Sequence, residues 1–134
     1  MITKRIYMLI AVFCMLPLAA CTNGSDKPSA SEEVQVEIRT VQNPIQSERA
    51  TLIEAHVTQG NAPVQDAREV KFEIWKEDQQ KHEQIVATHW QNGVYRIKKM
   101  FPNDGNYQVI AHVTAGDAQV KPQKELVVGN VPAK

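Results

Sequence analysis

From Val34 onward the sequence alternates apolar and polar side chains with a period of two. The clearest stretches are VQVEI from Val34, IEAHV from Ile53 and VKFEIW from Val70. Successive side chains of a β-strand point to opposite faces of its sheet, so this pattern predicts strands with one buried face. No window of this region carries a sustained helical period. We therefore expect an all-β fold.

The alternating region divides into seven short strands. The predicted strands begin near Val34, Ile53, Val70, Glu83, Val94, Tyr107 and Glu125. Turn-forming residues separate them, and short strands at intervals of about 8–12 residues are typical of a sandwich. Residues 34–129 are therefore expected to form an immunoglobulin-like antiparallel β-sandwich without a disulfide.

Two connections between these strands have recognisable turn chemistry. Asn92-Gly93 predicts a tight hairpin, because a type I′ turn needs positive φ at both central residues. The segment Asp104 to Tyr107 (DGNY) looks like a tyrosine corner, in which a tyrosine near the start of strand F bonds back to upstream backbone. We expect the Tyr107 side chain to be buried and its hydroxyl to be hydrogen-bonded.

The N-terminal segment reads as an export signal rather than as part of the fold. Lys4 and Arg5 precede a 13-residue apolar stretch from Ile6 to Leu18, which is shorter than the roughly 20 residues of a spanning helix. The following Leu18-Ala19-Ala20-Cys21 resembles the lipobox of bacterial lipoproteins, in which the cysteine is lipidated and becomes the new N-terminus. We expect residues 1–20 to be removed and Cys21 to carry lipid, including a fatty acyl group such as palmitate.

These assignments place the mature protein on the extracytoplasmic side of the cell membrane, held there by its lipid. Residues 21–33 are expected to be the lipidated cysteine and a flexible polar tether, and residues 130–134 a C-terminal tail. The second cysteine, Cys14, leaves with the signal. The mature chain then has no thiol for a disulfide, for catalysis or for metal binding.

Charge and motifs exclude several function classes. Fifteen basic and fifteen acidic residues balance, so there is no electrostatic case for nucleic acid as a partner. The serines lie in the tether or, for Ser47, in a turn, and none has the setting of a nucleophile elbow. Carboxylates such as Glu73 alternate with lysines, as on a solvated sheet face. The sequence predicts a protein that is not an enzyme and has no cofactor.

The four histidines are the candidates for a metal site. His56 and His112 have outward parity, and their strands should belong to opposite sheets, so they cannot share a metal ion. His82 and His89 lie in or near the segment around the fourth predicted strand. His82, His89 and His112 are the remaining candidates for a metal ion; the alternative is that each is an exposed surface histidine.

The two tryptophans, Trp75 and Trp90, are candidates for a binding surface. Trp75 has the outward parity of its strand. An outward tryptophan either marks a surface that binds a partner or is covered by a neighbouring loop, and the sequence does not distinguish these alternatives.

Several segments resemble the YtkA-like (also called FixH-like) domain of small bacterial envelope lipoproteins. The matching stretches are Val70–Lys76, His82-Glu83, Gly93–Tyr95, Asp104–Tyr107, Ile110–Ala115 and Lys124–Gly129. The resemblance covers about residues 34–129 and implies a compact, often lipid-anchored β-sandwich. In some relatives it suggests envelope copper handling during assembly of respiratory oxidases.

This chain departs from the family at the pair of residues that the resemblance would assign to copper. Family members have a His-x-Met pair after the His-Val-Thr strand and just before a proline, whereas this chain has Gln119 and Lys121. Imidazole and thioether groups are the ligands that copper(I) selects, and a lysine adds positive charge instead. We therefore expect a non-enzymatic binding or assembly module with an envelope protein as its partner. The alternative that the resemblance implies is a protein that binds copper through His82, His89 and His112 and assists oxidase assembly.

Overall fold

The computed structural model describes residues 33–131, which form an all-β sandwich. The expected signal, Cys21, the tether up to residue 32 and residues 132–134 lie outside this range. The described strands are β1 (Val34–Thr40), β2 (Ala50–Gln59), β3 (Ala62–Pro63), β4 (Glu69–Lys76), β5 (Glu83–Val86), β6 (Thr88–Gln91), β7 (Val94–Met100), β8 (Gly105–Ala115), β9 (Ala118–Val120) and β10 (Gln123–Val128). No helix in residues 33–131 is long and apolar enough to cross a membrane.

The strands form two antiparallel sheets. Sheet A has the order β1-β2-β7-β6, with β3 paired to β2; sheet B has the order β10-β8-β4-β5, with β9 paired to β8. This is the immunoglobulin-like sandwich that the sequence predicts. The described residues contain no cysteine, so nothing in this part of the chain is held by a disulfide.

The core lies between the two sheets and consists of the alternating apolar residues. Ile53 and Val57 of β2 face it from sheet A, and Phe72, Val109 and Val113 face it from sheet B, each with at most 2% of its surface exposed. Burying such a side chain contributes about 1.5–3 kcal/mol. This packing fixes the outward direction of the residues between them, including Glu73, Trp75 and His112.

The segment predicted as a single strand from Glu83 to Gln91 is two strands in different sheets, and that part of the prediction was wrong. β5 pairs with β4 in sheet B, whereas β6 pairs with β7 in sheet A. Between them the backbone N–H of Ala87 still donates to the carbonyl of Val70, at 2.8 Å. The chain therefore crosses from one sheet to the other along the side of the sandwich. Two further short strands, β3 and β9, also lie outside the seven that were predicted.

Both predicted turns are confirmed. Asn92 and Gly93 have φ of 47° and 72°, the two positive values that the type I′ turn requires. Tyr107 is 5% exposed, and its hydroxyl donates to the carbonyl of Asn103 at 2.9 Å. Its ring packs on Phe101, with centroids 4.5 Å apart. The tyrosine corner thus ties β8 to the loop that precedes it.

The sandwich has two distinct ends. At the near end, Val34 pairs with Gln59, and the β8–β9 turn at Gly116 lies beside Val34. At the far end lie the connections 41–49, 77–82 and 101–104. The far end is held by Asp104, which accepts hydrogen bonds from the Ser47 hydroxyl at 2.5 Å and the Asn130 backbone N–H at 3.3 Å. Strand β1 therefore begins at the end opposite to these three connections.

Tyr107→Phe is expected to lower the free energy of unfolding by about 1–2 kcal/mol, because it removes one hydrogen bond and leaves the Asn103 carbonyl without this partner. Urea unfolding followed by circular dichroism measures the change. Tyr95→Phe is the comparison, since the Tyr95 hydroxyl makes two hydrogen bonds, to Val64 and Ala67, and its loss should be larger. A Tyr107→Phe protein as stable as the wild type would contradict the assignment of the corner.

Candidate functional site

A polar cluster centred on Glu73 lies on the outer face of sheet B. Oε2 of Glu73 is 3.3 Å from Nδ1 of His82, and its Oε1 accepts a hydrogen bond of 3.3 Å from the Gln84 amide. Nε2 of His112 lies 3.7 Å from Oε1. The side chains thus come from β4, β5, β8 and the loop 77–82, and the sheet register places them next to one another.

The Glu73 carboxylate is only 18% exposed, which is unusual for a charged group on a sheet face. Burial raises the pKa of Glu73, but the hydrogen bonds from His82 and Gln84 and the charges of His112 and His82 outweigh it. They hold the pKa of this carboxyl below its ordinary value. The cluster therefore keeps a partly buried negative charge on the surface of sheet B.

His112 has an unsatisfied ring nitrogen. Its Nε2 is buried and has no hydrogen-bond partner, since Glu73 lies beyond hydrogen-bond distance. Buried polar nitrogen atoms normally have a partner. The cluster is therefore incompletely satisfied at one point, on the side of His112.

Trp75 lies at the border of the same cluster. The His82 ring stacks on its indole, with centroids 4.1 Å apart and planes inclined by 4°. The loop 77–82 therefore covers one face of Trp75, which is half-buried. The sequence left two alternatives for Trp75, a binding surface or coverage by a loop. One face of the ring is covered, and the residue that covers it is His82, one of the candidate histidines.

The other predicted residues lie on sheet A, away from this cluster. His89 and Trp90 are on β6; the His89 ring contacts Tyr95 at a centroid distance of 5.0 Å. Trp90 is 47% exposed, and the Arg96 guanidinium lies 4.1 Å above its ring. The structure thus brings His82 and His112 together and leaves His89 in the other sheet, so the three candidate histidines do not form one group.

The outer face of sheet A differs in character from that of sheet B. His56 lies there, with Nε2 2.8 Å from Oε2 of Glu54, and Arg39 pairs with Glu37 at 2.7 Å. His56 and His112 are in different sheets, as parity and topology predicted. Sheet A thus has a largely buried carboxylate of its own, since the Glu54 side chain is 11% exposed and that of Glu73 is 18% exposed. The cluster on sheet B differs in having the stacked rings of Trp75 and His82 at its border.

The arrangement of these side chains does not favour a metal ion. Across residues 33–131, no three histidine, cysteine, aspartate or glutamate side chains are placed to hold one. His82 and His112 approach different oxygens of Glu73. In the β4–β8 register His112 pairs with Lys71, so the residue opposite it on the neighbouring strand is a cation and not a further ligand.

Sequence reasoning missed Glu73 as a site residue and interpreted it as part of a solvated face. The alternation along β4 correctly predicted that Glu73 points outward. It did not predict which side chains surround Glu73. Its partners Gln84 and His82 come from a loop and an edge strand whose positions the alternation does not specify. In the sequence, the signal for this cluster was that Glu73 and His112 have outward parity and that His82 lies in a loop. Many β-sheets have such residues, so the signal was not specific.

The depressed pKa of Glu73 has a consequence for stability. The charged carboxylate stabilises the fold above the pKa it has in the unfolded chain, and this contribution is lost as the pH falls through its lower folded pKa. Glu73→Gln should therefore unfold at lower urea concentration than the wild type at neutral pH, with the difference shrinking as the pH falls below about 4. Urea midpoints at a series of pH values measure it.

The matched control is Glu69→Gln, on the same strand and face. Glu69 is 52% exposed and lies 3.5 Å from Lys71, and an exposed ion pair of this kind contributes little. Its midpoint should stay close to that of the wild type. A Glu73→Gln difference that stays constant across the pH range would contradict the electrostatic assignment.

Comparison with solved structures gives sandwiches of similar fold. An engineered protein matches with a TM-score of 0.54 at 11% identity over 72% of this chain, which spans 20% of that protein. The soluble domain of PmoD from Methylocystis sp. (Rockwell) matches with a TM-score of 0.50 at 14% identity, over 70% of this chain and 90% of that one. At these identities the likenesses concern the fold alone.

A third solved structure, the PKD domain of the human VPS10 domain-containing receptor SorCS2, has a TM-score of 0.46 at 15% identity. The match covers 75% of this chain and 76% of the PKD domain chain. No curated protein matches the sequence. The model of the YtkA-like family matches residues 29–112, which is more than half of the 134 residues. The chain therefore belongs to the YtkA-like family.

Proposed function

We propose that this protein is a membrane-anchored extracytoplasmic lipoprotein whose YtkA-like sandwich acts as a non-enzymatic binding or assembly module for an envelope protein. The observation that carries the proposal is the Glu73 cluster beside Trp75. A half-buried carboxylate, an imidazole whose Nε2 makes no hydrogen bond and a partly covered indole form a polar and aromatic surface on one sheet. Such surfaces, rather than isolated exposed residues, are typical of recognition.

The chemistry of the described side chains supports a binding role over catalysis. Ser47 is the only serine in residues 33–131, and its hydroxyl donates to Asp104 at the far end. Asp104 also accepts from the backbone of Asn130, so this pair holds the connections of the sandwich together. Both oxygens of the Asp104 carboxylate are engaged in these two hydrogen bonds, so the contact between Ser47 and Asp104 has a structural role.

A second candidate function is copper binding in oxidase assembly, and the unpartnered Nε2 of His112 favours it. The side chains around His112 are poor ligands for copper. Two imidazoles and a carboxylate offer no thiolate or thioether for copper(I), and the register partner of His112 on β4 is Lys71. Met100, the thioether nearest in kind, is on β7 of the other sheet. We therefore place this function second.

Anchoring is tested by cell fractionation of Cys21→Ala. The variant is expected to remain unlipidated and to lose membrane retention or processing, because the lipid is attached to this sulfur in lipoproteins. Cys14→Ala is the matched control, since Cys14 lies in the segment that is removed, and it should behave like the wild type. Equal membrane retention and equal processing of the Cys21→Ala protein and the wild type would contradict the anchoring.

The copper candidate is tested by melting curves of the mature chain in detergent with copper(I) or copper(II). A ligand at 100 times its dissociation constant stabilises a folded protein by about 2.7 kcal/mol, which is roughly ten degrees or more for a domain of this size. We expect copper to raise the melting temperature only slightly or not at all. A large rise that His82→Ala or His112→Ala abolishes, while His89→Ala keeps it, would make copper binding the preferred function.

A further inference from the structure

A cleft of about 490 Å³ opens at the far end of the sandwich. The end of β4 and the loop 77–82 form one side, and β7 with the loop 101–104 forms the other. Ile74 and Tyr107, both buried, lie at its floor. The stacked rings of Trp75 and His82 belong to its wall. The cleft thus has an apolar and aromatic interior.

The rim of this cleft is cationic. Lys76, Lys81 and Lys99 line it, with Glu83 as the single acidic side chain of the lining. Lys99 pairs with Glu83 across the two sheets, and Lys76 lies 3.5 Å from Asp78. Lys81 has no acidic partner anywhere in residues 33–131. The lining therefore carries an excess of positive charge, with one lysine available to a ligand.

We propose that the far-end cleft binds an acidic peptide segment of a partner protein, with carboxylates at the lysine rim and an apolar or aromatic side chain against Trp75. An apolar pocket with a few placed polar groups recognises ligands that combine both properties. The cleft is open rather than enclosed, and β5 is the edge strand of sheet B in the described fold, so an extended peptide has access.

The chemistry of the lining favours an acidic peptide over a lipid headgroup. Anionic headgroups carry the same charge as an acidic peptide and would meet the lysine rim equally well. A peptide also brings an apolar or aromatic side chain to the Trp75–His82 wall, which a headgroup lacks. The inference deepens the proposed function, on which it rests, by naming the chemical class of the partner.

The test uses tryptophan fluorescence of the full chain in a non-ionic detergent. Trp90→Phe leaves Trp75 as the single tryptophan. The probe is the capped peptide Glu-Glu-Phe-Glu-Glu, and we expect a saturable change in Trp75 emission. Binding should weaken as NaCl is raised from about 0.05 to 0.5 M, because exposed charges are screened. In the same background, Lys81→Gln should weaken binding by roughly three- to tenfold.

The matched control is Lys98→Gln, since Lys98 neighbours Lys99 but is exposed on the outer face of sheet A. It should bind the peptide as tightly as the parent. The inference is overturned if Gln-Gln-Phe-Gln-Gln binds equally well, if Lys98→Gln weakens binding as much as Lys81→Gln, or if Trp75 emission does not respond. Saturable binding of glycerol phosphate without binding of the peptide would assign the cleft to lipid headgroups instead.

These outcomes are separable from those of the proposed function. Fractionation of Cys21→Ala and the copper melting curves do not depend on Lys81. A protein that is anchored, shows no copper-dependent stabilisation and fails to bind the acidic peptide overturns this inference and leaves the proposed function standing.

Discussion

The packing of two sheets face to face is the constraint on which the rest of this structure depends. Ile53 and Ala55 from one sheet and Phe72 and Val109 from the other are fully buried. Because side chains alternate along a strand, burying one set fixes the other set on the outside. A shift of β4 by one residue would bury Glu73 and expose Phe72, so the core also determines where the polar cluster lies.

The alternation predicted the sheets, the outward parity of Trp75 and His112, and the separation of His56 from His112. Turn chemistry predicted the hairpin at Asn92-Gly93, because only a few residues tolerate positive φ. The contacts of His82 could not be predicted, since loop 77–82 has no periodicity and its path depends on tertiary packing. The change of sheet at Ala87 was missed for a similar reason: apolar residues on either side of it satisfy a strand pattern in either sheet.

The outer faces of both sheets hold charged side chains in close pairs. On sheet A the exposed Arg39 pairs with Glu37, and the largely buried Glu54 contacts His56. On sheet B the Glu73 carboxylate is partly buried. Hydrogen bonds from His82 and Gln84 offset the free-energy cost of its desolvation. The YtkA-like family match covers residues 29–112, and a shared sandwich does not by itself specify which surface residues act.

The passage of the chain from sheet B to sheet A at Ala87 also affects how copies of this domain would meet. A nine-residue strand along one sheet edge would present a continuous row of unpaired backbone groups, on which another chain could add a strand. Dividing it gives β5 and β6, each four residues long and in different sheets. Each exposes a shorter row of backbone groups than a nine-residue strand would, and short edge strands limit the edge-to-edge pairing that leads to polymerisation.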